Sequence, residues 1–267
     1  SRSSATDSAA DVAWLYLVED LDEALRAGDV TQVRGAEAKH MGVARMRVGE
    51  HLQLGNGRGF VVDCELAALE RDLAVVNVLR ASRVPEPEPR VVVVQALAKA
   101  GRDDLAVQVA TELGAAAFVP WQAKRSVSRW DQKAEKGRER WAAVAREASK
   151  QSLSPWVPDV AALHSTAQVA GLAAEGPLLV LDPLGDISLR DALEERPTAG
   201  LGRLTLVVGP EGGIDSSEFE TFEAAGGRRV HLGASVLRTS SAAPAAIAAI
   251  LALSGSWDSR LRSGAES

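Results

Sequence analysis

Beyond residue 90 the chain alternates short, wholly apolar runs with longer stretches whose apolar residues recur every three or four positions. Val91-Val92-Val93-Val94-Gln95, and then residues 116–119, 156–160, 178–181, 204–208 and 229–232, have the length and β-rich character of buried strands. Between them, residues 103–113 predict a helix that opens at Asp103 or Asp104 and ends at Gly114. Residues 131–151 predict a longer helix with Trp141, Val144, Ala145 and Ala148 on one face. This alternation predicts an α/β fold, a parallel sheet covered by helices.

The first 83 residues read differently. Trp14-Leu15-Tyr16-Leu17-Val18 predicts a first strand, and residues 35–46 a short helical stretch. His51-Leu52-Gln53-Leu54, a Gly55-Asn56-Gly57 turn and the apolar run at residues 59–65 make a hairpin, Asn-Gly being its strongest short-range signal. Residues 73–79 add another strand. Short strands with few helices suggest a small barrel. Val84-Pro85-Glu86-Pro87-Glu88-Pro89 alternates proline with acid, which favours an extended, semi-rigid spacer. The expected organisation is therefore a small β-barrel domain over residues 1–83, a linker over 84–90 and an α/β domain over 91–267, with residues 1–10 a mobile leader.

Residues 204–242 hold the most informative pattern. Leu204-Thr205-Leu206-Val207-Val208 predicts a buried strand, followed at once by Gly209-Pro210-Glu211-Gly212-Gly213. Glycine permits positive φ and close backbone approach to a ligand, while Pro210 stiffens the turn. Asp215 or Ser216 caps the next helix, with Glu218 and Glu220 placed to support its N-terminus. That helix stops at Gly226-Gly227. Arg229-Val230-His231-Leu232 forms the next strand, residues 233–239 a second loop, and Ser240 or Ser241 caps an Ala-rich last helix. Loops at the ends of successive strands are where an open α/β sheet binds ligands. Taken alone, GPEGG is equally an ordinary strand-to-helix turn.

Composition narrows the field. With 267 residues, 46% apolar and 25% charged, the chain has the make-up of a soluble globular protein with room for two modest cores. Its 30 basic and 36 acidic residues give a net charge of −6, which argues against indiscriminate nucleic-acid binding but leaves room for a local basic patch. The one cysteine, Cys64, lies in a strand-like run and reads as a buried, reduced thiol. The longest apolar run, residues 242–253, is too short to span a bilayer and contains Pro244. With a polar N-terminus that carries no signal-peptide core, this predicts a cytoplasmic protein and no membrane partner. His40, His51, His164 and His231 are scattered, so no metal site is expected, and neither a Walker A sequence nor GxGxxG occurs.

GPEGG at residues 209–213, paired with LGxxVLRT at residues 232–239, resembles the SPOUT methyltransferases, and within them the RsmE family of 16S ribosomal RNA uracil-N3 methyltransferases. Lys99-Ala100-Gly101-Arg102, followed by VQVATELG at residues 107–114, resembles the family's K…QKxxELG stretch. Lys124-Arg125-Ser126 is similar to its RS motif, and residues 40–47 to its HxxxVLR motif with departures at Ala44 and Met46. Residues 148–152 resemble EAxEQS, with Lys150 in place of an acid; Ser154 stands for an arginine and Ser240 for the glutamate of RTETA. The resemblance implies a PUA-like barrel at the front and, behind it, a SPOUT domain tied in a deep trefoil knot, a rare exception to the unknotted rule. It also implies a homodimer with S-adenosylmethionine bound in the knot beside the subunit interface. By resemblance, the cofactor pocket comprises Leu181, Gly209, Glu211, Gly212, Gly213 and Ile214 from the first part, and Leu232, Gly233, Val236, Leu237 and Arg238 from the second. Leu232, Val236 and Leu237 would pack on the adenine and exclude water.

Methyl transfer from a sulfonium is an in-line displacement, so the protein's main task is positioning. The uracil N3 proton must also leave, and a cation stabilising negative charge on O2 or O4 would help. Arg238 is the candidate catalytic residue; a salt bridge to the acidic helix or to a partner subunit is the alternative. Glu211 is either a base or a residue that orients its loop. Candidate RNA contacts are His40, Arg45, Arg47, Arg58, Lys99, Arg102 and Arg125, contacting phosphates that position without reading sequence. For His40, Arg45, Arg47 and Arg58 a solvated basic face is the other reading. The expected partner is 16S rRNA within the small ribosomal subunit. Two other functions remain open: a non-catalytic RNA-binding assembly factor, and a SPOUT methyltransferase acting on transfer RNA or ribose 2′-hydroxyls.

Overall fold

The structure is a computed structural model and describes residues 14–197 and 200–258; the expected leader at residues 1–10 lies outside them. The chain divides into two compact units. Among the described residues, one is built on the chain up to Pro85 together with Lys150–Trp156, the other on Glu86–Ser149 and the residues from Val157 to Asp258.

The first unit contains β1 (Leu15–Leu17), β2 (Val30–Arg34), α1 (Ala36–Val43), β3 (His51–Gly55), β4 (Phe60–Leu69) and β5 (Leu73–Arg83). They form a curled five-stranded sheet in the order β1-β3-β4-β5-β2, antiparallel except for β1 against β3. Register shifts between Asp63 and Cys64 and between Leu66 and Ala68 interrupt the β4–β5 ladder, the kind of irregularity that bends a sheet. The hairpin turn forms as its Asn-Gly sequence predicts: the Asn56 side-chain oxygen accepts from the N–H groups of Arg58 and Phe60, and Gly57 takes φ 72°. Strand β2 was not legible. Of its residues only Val33 is buried and Val30 is exposed, so no alternation marks it. Tyr16, Met41, Leu52, Leu54, Val62, Leu66 and Val76 fill the core. Cys64 is fully buried among them, and burial pushes its thiol up to about 12.

Two departures from the family pattern find a local account here. Lys150 is buried and pairs with the Glu37 carboxylate at 3.1 Å, with the His40 Nδ1 also at 3.1 Å. A buried ammonium needs such partners, because an unpaired one is costly. The Ser154 hydroxyl donates to the Trp156 carbonyl at 2.8 Å. The Trp156 indole in turn donates to the carbonyls of Val84 and Pro85, and its ring lies 2.6 Å from where a Cβ on Gly59 would stand.

The second unit contains β6 (Arg90–Ala96), α2 (Arg102–Glu112), β7 (Ala117–Trp121), α3 (Ala134–Gln151, its last turn shared with the first unit), β8 (Asp159–Val160) and α4 (Thr166–Gly171). There follow β9 (Leu178–Leu181), β10 (Ile187–Ser188), α5 (Leu189–Glu195), β11 (Arg203–Val208), α6 (Ser216–Ala224), β12 (Arg228–His231) and α7 (Thr239–Leu253). The strands make a seven-stranded, wholly parallel sheet in the order β10-β12-β9-β11-β6-β7-β8. Its apolar runs are buried on both faces. Val91, Val93, Leu204 and Leu206 pack with Trp141 of α3 and Ile247 and Ile250 of α7, while Val92, Val94 and Val207 pack with Val169 of α4 and Phe222 of α6.

Helix starts required two corrections. Helix α2 opens at Arg102 with Gly101 in the left-handed conformation (φ 71°) as its cap, so neither Asp103 nor Asp104 caps it; Asp103 is buried instead. Helix α7 is capped at Arg238 with no side-chain hydrogen bond, so neither Ser240 nor Ser241 is its cap. The reason is Thr239: its hydroxyl donates to the Gly209 carbonyl at 2.9 Å and receives the buried Gln95 amide at 2.8 Å, which draws it into the first turn. Among the described residues no helix is long and apolar enough to cross a membrane, and no three His, Cys, Asp or Glu side chains gather as a metal site would require.

Candidate cofactor site

Strands β12, β9, β11 and β6 are neighbours in the sheet, so their carboxyl ends bring together chain segments distant in sequence. A cavity of about 420 Å³ opens there, within the range of small-molecule sites. The β11–α6 loop supplies Gly209, Pro210, Glu211, Gly213 and Ile214. The β12–α7 loop supplies Leu232, Ser235, Val236, Leu237 and Arg238, and the end of β9 supplies Leu181, Asp182 and Pro183. Arg102, predicted as an RNA contact, also lines this cavity.

Hydrogen bonds hold the loops. Asp215 and Glu218 cap α6 reciprocally, as their spacing predicts. The Glu218 carboxylate is almost fully buried and accepts from the Lys124 N–H, the Thr166 hydroxyl and the Asp215 N–H. Arg125 reaches the Asp215 carboxylate at 3.1 Å, and a Cβ on Gly212 would lie 3.3 Å from Arg125; Gly212 thus faces Arg125 and is not among the cavity's lining residues. Gly233, whose N–H donates to His231 Nδ1, is likewise beside the cavity rather than in its lining.

Glu211 ties the cavity to the β6–α2 loop, accepting from the Lys99 N–H at 3.1 Å and the Arg102 guanidinium at 3.3 Å. Partial burial opposes its charge, but the backbone donors at Glu211 and Lys99 and the Arg102 cation together hold its carboxyl below the usual glutamate range. That geometry suits an orienting residue. Arg238 is exposed on the cavity wall, and among the described residues its side chain makes no ion pair, to the acidic helix α6 or elsewhere. An uncommitted guanidinium beside an apolar cavity is placed to meet negative charge on a bound group.

The residues present fit S-adenosylmethionine. Leu181, Ile214, Leu232, Val236 and Leu237 give apolar walls for a purine. Gly213, at φ 75°, has no heavy atom within 4 Å of where a Cβ would stand, so its backbone is open to a ligand. Arg102, Asp182, Glu211, Ser235, Arg238 and Thr239 are the few polar side chains among these walls. Sequence reasoning missed Asp182 and Phe219. The Arg229 guanidinium bonds Asp182 and lies 4.2 Å over the Phe219 ring, which fixes both on the cavity wall. The one sequence signal was the Asp-Pro pair directly after a buried strand.

The remaining candidates fall in two places. In the first unit, His40 lies on α1 against Lys150, Arg45 (φ 58°) and Arg47 are exposed just beyond that helix, and Arg58 sits in the β3–β4 turn. In the second, Lys99 and Arg102 flank Gly101, and Arg125 lies beside Gly212.

Comparison with known proteins yields concordant matches. Residues 85–251 match a family described as RNA methyltransferase domain, and residues 33–79 one described as RNA methyltransferase PUA domain. A protein of Mycobacterium bovis named ribosomal RNA small subunit methyltransferase E is 40% identical over 254 residues, 92% of this chain and 94% of the relative. One of the same name from Bacillus subtilis is 32% identical over 243 residues, 88% of this chain and 94% of the relative. The crystal structure of a ribosomal RNA small subunit methyltransferase E from Neisseria gonorrhoeae, bound to S-adenosyl methionine, superposes with a TM-score of 0.80 at 26% identity over 90% of this chain and 97% of that one.

Proposed function

Because this chain belongs to the ribosomal RNA small subunit methyltransferase E family, we propose that it transfers a methyl group from S-adenosylmethionine to N3 of a uridine in 16S rRNA. The observation that carries this reading is the cavity itself: the GPEGG loop and the LGxxVLRT loop line it together at the sheet's carboxyl ends, and Arg238 of the second loop has no ion pair among the described residues. When bound, the cofactor supplies an electrophilic methyl group. Leu181, Ile214, Leu232, Val236 and Leu237 hold its adenine and exclude water, and the open backbone at Gly213 lets it approach. Arg238 stabilises negative charge on the uracil oxygens as the N3 proton leaves. Glu211 keeps the β6–α2 loop in place through Lys99 and Arg102.

The rest of the assignment follows the family. Residues 1–83 form a PUA-like domain that contacts RNA through His40, Arg45, Arg47 and Arg58; residues 84–90 are the linker, and residues 91–267 the methyltransferase domain, threaded as a trefoil knot and paired as a homodimer. The protein works in the cytoplasm. An acidic chain is a poor ligand for free RNA, so its substrate is the assembled small subunit rather than naked rRNA. The test is transfer of labelled methyl groups to small subunits that lack the modification, beside the same RNA stripped of protein. Label in the subunits and little in naked RNA supports the proposal. No label in either, although the cofactor binds, contradicts it and turns attention to transfer RNA.

A further inference from the structure

On the other side of the β6–α2 loop from Glu211 lies a second and larger cavity, about 770 Å³, that no part of the cofactor site uses. Lys99, Ala100 and Gly101 form one wall; residues 127–130 and the start of α3 form the others. Its floor is fixed. Trp130 is buried and stacks edge-on to Trp141, its ring filling the space a Cβ on Gly137 would need, and Arg140 is held by Asp103 and Asp104.

Its rim is predominantly cationic, with Glu139 the one exposed acid in the lining. Lys99, Arg129, Lys133 and Lys136 all line the cavity and are exposed, and among the described residues none of their side chains makes a hydrogen bond or an ion pair. Many arginines among the described residues are by contrast paired with acids, among them Arg80, Arg83, Arg138, Arg190, Arg203 and Arg228. Lys133 and Lys136 moreover stand at the N-terminal end of α3, where the helix dipole is already positive and cations are unfavourable. Asp131 and Glu135 share this helix start, but Glu135 is paired with Arg138 and neither engages Lys133 or Lys136. Like charges gathered at a helix N-terminus around an open cleft are suited to an anion, and Lys99 belongs to the β6–α2 loop that Glu211 ties to the cofactor cavity.

We propose that this cleft binds the phosphodiester backbone of the RNA strand flanking the target nucleotide, through Lys99, Arg129, Lys133 and Lys136. The inference rests on the chain's acting on RNA, but binding tests it independently of methyl transfer. The test compares the wild type with the triple variant Arg129→Gln/Lys133→Gln/Lys136→Gln for affinity to labelled, unmodified small ribosomal subunits over a series of salt concentrations. Losing three phosphate contacts should weaken binding by about tenfold or more and flatten the slope of log affinity against log salt by about two units, each contact contributing roughly 0.7–0.9. The variant Arg129→Lys/Lys133→Arg/Lys136→Arg, which keeps the charge, should bind as the wild type does. S-adenosylmethionine affinity by calorimetry should be the same for all three proteins. Unchanged affinity and salt slope in the triple Gln variant would overturn the proposal, as would a wild type that does not bind the subunits. Failure of the methyltransferase reading would register differently: RNA binding and its loss in the variant would persist without label transfer.

Discussion

Arg238 and Glu211 face one cavity with opposite commitments, and the difference assigns their roles. Glu211 is already engaged by Lys99 and Arg102, whereas Arg238 has no partner among the described residues. Arg238→Ala should lower kcat for methyl transfer by about 10²–10³-fold, as loss of one preorganised charge-stabilising group does, with the melting temperature unchanged. An unaltered kcat would remove Arg238 from the chemistry. Glu211→Gln should weaken cofactor binding by about tenfold, the worth of one charged hydrogen bond, because the β6–α2 loop is no longer held. Its pH dependence has a definite sign. The folded carboxyl titrates below the ordinary glutamate range, so its stabilisation is present above that range and is lost as pH falls through the lower folded value. The difference in melting temperature between wild type and Glu211→Gln should therefore hold at neutral pH and shrink in acid. Gly209, Gly213 and Ile214, which all line the cavity, were expected at the site through the family resemblance, since GPEGG taken alone is equally an ordinary turn. Asp182 was not, because it takes its place from Arg229, 47 positions away.

At the level of elements, the capping box of α6 does more than start a helix. The Glu218 carboxylate is shared by the Lys124 backbone, the Thr166 hydroxyl and the Asp215 backbone, so it joins the ends of β7 and α4 to the cofactor loop. Glu218→Ala would leave three partly buried donors without this acceptor and should cost about 3 kcal/mol. In thermal melts the transition of this unit should fall by roughly 6–12 °C; a fall of a degree or less would show that the network is dispensable. Hydrophobic period and Asn-Gly chemistry made the parallel sheet, the long helix α3 and the β3–β4 hairpin readable. They could not reveal β2, whose residues hardly alternate in burial, or the start of α7, which is set by Thr239 bonding to Gly209 thirty residues earlier.

For the whole molecule, charge is the governing quantity. A net −6 with cations concentrated at a few places separates weak binding of arbitrary RNA from binding of a shaped particle that meets those places together. The motif pairing GPEGG with LGxxVLRT pointed before any coordinates to two loops that line one cavity at strand ends of one sheet. The basic cleft beside α3 was invisible in the sequence, where Arg129, Lys133 and Lys136 are interspersed with acids and only folding leaves them unpaired. The most direct measurement is nucleoside mass spectrometry of 16S rRNA after incubation of unmodified small subunits with this protein and S-adenosylmethionine. The account predicts 3-methyluridine, at one position, dependent on Arg238. A methyl group on a ribose 2′-hydroxyl, or no methylated nucleoside despite cofactor binding, would contradict it.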